Sequence, residues 1–285
     1  MKGTIIFVTG RLNLSGADFS MYAVIKKLKK EGYKTLIIIP KECKSSSFWK
    51  KQKIEYITVP FKLWTTSKSN IMHRFIVHNI KKIYNKYQIQ KNYKRILSSS
   101  KNDIVCIYNN GFTNDFAVKL SQKLKKPCVY HIREFGDLDF KWNFEVGNKA
   151  KQFQKIEKKV KLFIAISNTV KKSFSNAKNY DKIKVIHNGI ETVKIQNKLQ
   201  GKIKKIIISG RLAAGKGHIT LLKAIKKLIS SGITNIKLDI YGDGKERENI
   251  ENFIKENNLQ NYVELKGFIL GIDYQQYDIG IMASR

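Results

Sequence analysis

Arg211 and Lys216 lie five residues apart in Ile206-Ile207-Ile208-Ser209-Gly210-Arg211-Leu212-Ala213-Ala214-Gly215-Lys216-Gly217-His218. The run reads as a buried strand, a glycine-rich loop bearing two cations, and a helix whose apolar face is Leu221, Leu222, Ile225 and Leu228. A guanidinium grips phosphate oxygens as a fork and an ammonium acts as a point charge, so the pair suits a diphosphate. The run nearly spells the P-loop, G-x-x-x-x-G-K-[ST], but Gly217 stands where a hydroxyl must hold magnesium. Diphosphate neutralisation without a metal is therefore the expected chemistry. Downstream, Leu238-Asp239-Ile240-Tyr241-Gly242-Asp243-Gly244 is a second strand ending in glycines that allow close backbone approach, and Asp239 sits too far inside it to be a Walker B acid.

In the first half of the chain, Val129-Tyr130-His131-Ile132-Arg133-Glu134-Phe135-Gly136 leaves a strand carrying a histidine, a cation and an acid. Two readings stand: a catalytic His131 that polarises a substrate hydroxyl, oriented by Glu134, or a hydrogen-bonded structural histidine. A metal site is not expected, since no third ligand lies nearby in sequence. The loop Thr9-Gly10-Arg11-Leu12-Asn13-Leu14-Ser15-Gly16-Ala17-Asp18 ends at a helix start, where Gly16 would let a phosphate approach backbone N–H groups. It lacks G-x-G-x-x-G, and a plain turn with Ser15 as helix cap fits equally well.

These loops require strands that deliver them. Strands are expected at Ile5–Thr9, Lys34–Ile39, Ile54–Val59, Ile104–Tyr108, Cys128–His131, Leu162–Ile166 and Lys184–Ile186, alternating with helices at 19–30, 71–97, 116–125, 149–158 and 170–174. After a polar, lysine-rich stretch at Lys194–Lys205, the alternation restarts with strands at 206–209, 237–241, 262–265 and 279–282 and helices at 219–229 and 247–257. Continuous apolar runs mark strands buried on both faces, hence parallel doubly wound sheets. The expected fold class is α/β, with two domains at 1–195 and 196–285 facing across a ligand cleft at the carboxyl ends of their strands.

Composition bounds the function. The 285 residues are 42% hydrophobic with three prolines, which excludes disorder as the main state, and no apolar run approaches the ~20 residues of a bilayer span. The start of the chain resembles no signal peptide and Cys43, Cys106 and Cys128 read as reduced thiols, so a cytoplasmic protein is expected. Net charge is +33, concentrated in residues 1–200 with 41 bases against 13 acids. Between Glu55 and Asp103 there is no acid and there are ten bases. Such a field attracts polyanions, and the stretch, interleaved with Trp64, Phe75, Tyr84, Tyr87 and Tyr93, is expected to dock on anionic lipid.

The order Ser15-Gly16-Ala17-Asp18, His131-x-Arg133-Glu134, Ile166-Ser167-x-x-Val170, Val185-Ile186-His187-Asn188-Gly189-Ile190, Gly210-Arg211-Leu212 with Lys216-Gly217, Gly242-x-Gly244, Val263-x-Leu265-x-Gly267 and Asp278-Ile279-x-Ile281-x-Ala283-Ser284 resembles the family 4 glycosyltransferases of the GT-B fold. The resemblance implies a retaining, hexosyltransferase-type enzyme that moves a sugar from a nucleoside diphosphate sugar to an acceptor hydroxyl without an essential metal or other cofactor. It places Arg211 and Lys216 on the donor diphosphate with Gly16 as a backbone contact, His131 beside the transferred sugar, and Gly210, Gly242, Gly244 and Gly267 around the donor nucleotide. Glu134 is carried as the second catalytic candidate. The expected setting is the inner face of the cell membrane, acting on a lipid-linked or oligosaccharide acceptor in capsule or other cell-surface polysaccharide synthesis.

Two departures qualify the resemblance. The family's first-loop glycine pair is here Gly16-Ala17. The sequence also stops at Ser284-Arg285, where the family continues into a paired-glutamate motif, so the second domain is expected to be incomplete and this chain by itself inactive. A sugar-nucleotide epimerase of the same fold is the rival enzyme. A nucleic-acid-binding protein is the rival from charge alone, with no recognition helix, zinc spacing or aromatic RNA-binding motif in its favour.

Overall fold

A computed structural model of the chain describes residues 2–66, 71–136, 143–144, 148–174, 180–189 and 203–284. The chain forms two compact units, Met1–Ile190 and Glu191–Arg285. Most of the expected linker at 194–205, and the expected boundary at 195/196, lie outside the described residues.

The first unit alternates as the apolar runs require: β1 (Thr4–Thr9), α1 (Gly16–Lys30), β2 (Lys34–Ile39), α2 (Lys44–Lys51), β3 (Tyr56–Thr58), β4 (Thr65–Thr66), α3 (Ile71–Lys91), α4 (Tyr93–Ser99), β5 (Ile104–Asn110), α5 (Phe116–Leu124), β6 (Cys128–Ile132), β7 (Asn143–Phe144), α6 (Lys149–Glu157), β8 (Leu162–Ala165), α7 (Asn168–Phe174) and β9 (Ile183–Val185). Seven strands pair in parallel in the order β3-β2-β1-β5-β6-β8-β9. The order reverses between β1 and β5, and such a switch point leaves a crevice at the strands' carboxyl ends. Alternate residues of β1 serve opposite faces: Ile6 and Val8 pack with Phe112, Phe116 and Tyr130, whereas Ile5 and Phe7 pack with Met21, Ile25 and Trp49. That two-sided burial is why the strand reads as an unbroken apolar run.

The second unit comprises β10 (Lys204–Ser209), α8 (His218–Ser230), β11 (Ile236–Tyr241), α9 (Arg247–Glu256), β12 (Val263–Gly267) and β13 (Ile279–Gly280). Its parallel sheet runs β12-β11-β10-β13, with a second switch point at β10. Ile206, Ile208, Leu238 and Ile240 meet Leu221, Leu222 and Ile225 of α8 and Ile250 and Ile254 of α9.

Some elements depart from the sequence reading. The helix expected over 71–97 is interrupted at Asn92, which starts α4. Helix α2 has no sequence counterpart in that reading, because Lys44-Ser-Ser-Ser carries no helical periodicity; it forms because Phe48 and Trp49 bury against Tyr22 and each other. The aromatic docking set is also corrected. Trp64 is buried, its indole N–H donating to the Phe112 carbonyl at 3.2 Å and its ring lying against Phe112 and Tyr130. Tyr84 and Tyr93 are half-buried, only Tyr87 of that set is exposed, and the Phe75 side chain lies outside the described residues.

Candidate functional site

In the first unit, the carboxyl ends of β1, β5 and β6 bring together a polar cluster inside an apolar layer. Sheet register places Thr9 beside Asn110 and Asn110 beside His131. His131 is buried, and its Nδ1 is hydrogen-bonded to the Tyr108 hydroxyl. Burial, and next the Arg133 guanidinium, push its pKa down to about 3, so the ring is neutral at ordinary pH. Burial raises the Tyr108 phenol to about 12, against the pull of the adjacent Arg133. A neutral phenol beside a fixed cation turns its proton away from that cation, toward Nδ1, which leaves the ring proton on Nε2.

Glu134 does not orient His131, contrary to the sequence expectation. Nδ1 belongs to Tyr108 and Nε2 has no partner among the described residues. The Glu134 carboxylate instead accepts from Arg11 Nη2 at 2.5 Å and from the Phe112 backbone N–H at 3.0 Å, itself 3% exposed. It therefore ties the loop after β1 to the loop after β5. Gly111 is required there: its φ is +106°, and a Cβ would come 3.1 Å from Glu134 Oε1.

Arg133 is buried beside this pair. Its Nε donates to Asn110 Oδ1 at 2.5 Å, and its Nη1 donates to Ser20 Oγ at 2.8 Å and Asn188 Oδ1 at 3.2 Å. Asn188 comes from the His187-Asn188-Gly189 run, so a separate sequence motif closes on the same sheet end. At the start of α1, the Asp18 carboxylate accepts from the Ser15 N–H at 2.9 Å and hydroxyl at 2.8 Å, and burial raises the Asp18 pKa. The Gly16 and Ala17 N–H groups follow directly, and a Cβ on Gly16 would meet nothing within 4 Å. Ser15 is thus the N-cap of α1, and the space over Gly16 is open.

Five buried polar atoms here have no partner among the described residues: Arg11 Nε, Asp18 Oδ1, Asn109 Oδ1, His131 Nε2 and Arg133 Nη2. Buried polar groups are ordinarily satisfied, so this concentration at one switch point makes it the candidate ligand site of the unit. Tyr108, Asn109, Asn110 and Ser20 were missed by the sequence reading, although two asparagines ending an apolar strand were a usable signal, and Asp18 was quoted there only as part of a motif.

The buried neutral histidine makes stability pH-dependent. The unfolded chain binds a proton at His131 near pH 6.5 and the folded chain only near 3, so stability is full above pH 6.5 and falls as pH drops. We expect a loss of about 3 kcal/mol from this group between pH 6.5 and 4. Thermal unfolding across that range should show it, and His131→Gln should flatten the dependence; an equally steep fall in the variant would assign it to other groups.

In the second unit, the loop after β10 is pinned by fully buried Leu212, whose N–H donates to the Asp243 carbonyl at 3.0 Å. Arg211 and Lys216 stand exposed on either side of it, and neither side chain bonds any described residue. Ala214–Lys216 form a 3-10 turn, and Gly217, at φ +73°, starts α8. The glycines divide into two groups. A Cβ on Gly242 would lie 1.9 Å from the Gly210 carbonyl oxygen, and one on Gly244 would lie 2.2 Å from that of Leu212, so these two let neighbouring loops pack. Gly210 and Gly267 instead face open space. His218, which the sequence reading quoted without a role, is buried with both ring nitrogens lacking a partner among the described residues, and burial followed by Lys216 lowers its pKa. Asp239 accepts from the Tyr277 hydroxyl at 2.6 Å in mid-strand, away from the loop ends.

The structure therefore groups Gly16, His131 and Glu134 at one sheet end of the first unit, and Gly210, Arg211, Lys216, Gly242, Gly244 and Gly267 at one sheet end of the second. The family described as Glycosyltransferase Family 4 matches residues 14–194, and that described as Glycosyl transferases group 1 matches 189–285. The chain is similar to the UDP-N-acetylglucosamine–peptide N-acetylglucosaminyltransferase GtfA subunit of Streptococcus gordonii, at 25% identity over 70% of this chain and 41% of that protein. It is also similar to the 2-deoxystreptamine N-acetyl-D-glucosaminyltransferase of Niallia circulans, at 37% identity over 27% of this chain and 19% of that protein. The chain thus spans less than half the length of these relatives. Among solved structures, a glycosyltransferase from Rickettsia africae matches with TM-score 0.68 and 20% identity, covering 99% of this chain and 73% of that one. Anabaena HepE in complex with UDP matches with TM-score 0.67 and 16% identity, covering 99% and 74%. At such identities the structures show the fold, the paired Rossmann-like units of the GT-B class.

Proposed function

The chain belongs to glycosyltransferase family 4, and on that premise we propose that it transfers a sugar, with retention, from a nucleoside diphosphate sugar to an acceptor hydroxyl. The observation that carries the reading is the pair of exposed cations, Arg211 and Lys216, which bond no described residue at the switch point of the second unit. Arg211 forks two oxygens of the donor diphosphate and Lys216 places a point charge on it. Both interactions strengthen as the diphosphate departs and the anomeric carbon gains positive character, which lowers the barrier.

The first unit contributes donors. With Tyr108 holding Nδ1, His131 offers its Nε2 proton to a substrate hydroxyl at this sheet end, and the N–H groups of Gly16 and Ala17, at the positive end of α1, suit an anionic group. The relative from Streptococcus gordonii is named for UDP-N-acetylglucosamine, and several similar structures contain UDP, which supports a UDP-sugar donor. For the acceptor we propose a lipid-linked or oligosaccharide glycan in cell-surface polysaccharide synthesis, reached from the cytoplasmic face of the membrane. Among the described residues no helix is long and apolar enough to cross a membrane.

Calorimetric titration with UDP tests the site, and incubation with UDP-N-acetylglucosamine tests the reaction class. Absence of UDP binding would remove the reading, and conversion of the donor sugar without acceptor would favour the epimerase. Transfer is expected to need no metal, because cations of the chain neutralise the diphosphate. EDTA should therefore leave more than about half of the UDP affinity; loss of binding that magnesium restores would refute this.

A further inference from the structure

Helix α8 contains three lysines and no acid, although the unit around it is close to balanced, with 14 bases and 9 acids over residues 201–285. Lys223, Lys226 and Lys227 stand at i, i+3 and i+4, which puts the three ammonium groups on one side of the helix, all exposed. Like charges at that spacing repel, and an acid at one of the positions would relieve them. Lys226 is held across to α9, its Nζ donating to Asn257 Oδ1 at 2.7 Å, whereas the side chains of Lys223 and Lys227 bond no described residue. The cationic face is therefore local to this helix.

Between α8 and α9 these lysines border a groove of about 600 Å³. Half-buried Phe253 lines it together with the lysines, whose methylene stems add to the apolar surface, and Ser230, Ser231 and Asn257 supply a polar rim. None of the described residues lining it is an acid. From Lys223 to Ser230 the groove follows roughly 10 Å of helix, about two turns. An apolar floor between basic walls complements an acidic segment that carries an apolar side chain. The chain's own net charge of +33 works against a second copy in this place. A flat bilayer does not enter a groove with a polar rim, and a nucleic-acid strand finds no exposed ring to stack on, since Phe253 is half-buried.

We propose that the groove between α8 and α9 is a docking site for an acidic segment of a partner protein, with an apolar side chain of the partner seated on Phe253 and its carboxylates paired with Lys223 and Lys227. The groove lies along the second half of α8, away from the loop with Arg211 and Lys216 that precedes the helix. It goes beyond the proposed function and does not depend on sugar transfer.

Fluorescence anisotropy of the full chain with a labelled synthetic peptide of glutamates and helically spaced leucines tests it, at about 0.15 M salt, where distant charges are screened. This peptide should bind at least ~10-fold more tightly than one of equal charge with serine in place of leucine, because only the first can bury an apolar side chain. Lys223→Gln/Lys227→Gln should lose about fivefold in affinity. Ser230→Trp, which puts a large ring into the groove, should lose ~10-fold. Lys205 and Lys237 are paired in register on the sheet face turned away from α8, and Lys205→Gln/Lys237→Gln should change affinity by less than about twofold. All these positions are exposed, so the melting temperature should stay unchanged and a folding defect would be visible separately. Equal binding of the leucine and serine peptides overturns the proposal. So does an equal loss in the Lys205→Gln/Lys237→Gln chain, which would leave only the general charge of the protein. Binding of an RNA duplex that exceeds peptide binding and falls in the Lys223→Gln/Lys227→Gln chain would overturn it in favour of a nucleic-acid site. UDP affinity should be equal in the parent and the groove variants, and a parallel loss would assign the groove to the donor instead.

Discussion

The Arg211→Ala/Lys216→Ala chain is expected to bind UDP at least ~100-fold more weakly than the parent, each single substitution costing about 1.5–3 kcal/mol as a charge-assisted contact is lost. The two side chains are exposed and bond nothing described in their own unit, so their removal breaks no internal contact. Unfolding free energy should then stay within about 0.5 kcal/mol of the parent, which separates a binding loss from misfolding. Arg211→Lys should recover only part of the affinity, because an ammonium cannot span two phosphate oxygens. Calorimetry at fixed ionic strength is the measurement. An unchanged dissociation constant in the double variant would remove the diphosphate from this loop, whatever the family.

Glu134→Ala should destabilise the first unit by about 3 kcal/mol. The substitution leaves the Phe112 N–H buried without an acceptor and Arg11 without its 2.5 Å partner, at a carboxylate that is 3% exposed. Glu134→Gln keeps an acceptor for the N–H and loses only the charge, so it should cost less. Urea unfolding followed by circular dichroism distinguishes this positional role from the catalytic one that the sequence suggested. A Glu134→Ala chain with parental stability but altered handling of the donor sugar would restore the catalytic assignment.

The extent of what could be read from sequence follows from the range of the interactions involved. Strand after strand was legible, Lys34–Ile39 to the residue, because burial on both sheet faces leaves an unbroken apolar run in the local sequence. The loop with Arg211 and Lys216 was legible for a similar reason: a strand, glycines, two cations and a helix start are all contiguous, and Gly217 in place of a hydroxyl is a local fact. Helix α2 was not, since its reason for existing is Trp49 packing beneath Tyr22, twenty-seven residues away.

The site of the first unit shows the division most clearly. The sequence by itself determined that His131, Arg133 and Glu134 leave one strand together and that Gly16 opens a helix. Only the tertiary structure decided their duties, by carrying Tyr108 to His131 Nδ1, Arg11 to Glu134 across 123 residues, and Asn188 to Arg133 across 55. Adjacency in sequence made Glu134 the natural partner of His131. The tertiary structure overruled it, because Glu134 lies beyond the end of β6, where Arg11 and the Phe112 N–H take its carboxylate, while parallel pairing sets the ends of β5 and β6 side by side. The same principle governs α3, whose sequence is basic and apolar at helical spacing and so fixes a stripe, whereas only packing against Lys62 and its neighbours turned that stripe outward. Charge, periodicity and local turn chemistry are properties of neighbouring residues; tautomer, ion-pair partner and the facing of a helix depend on residues far apart in the chain, and folding alone brings these together.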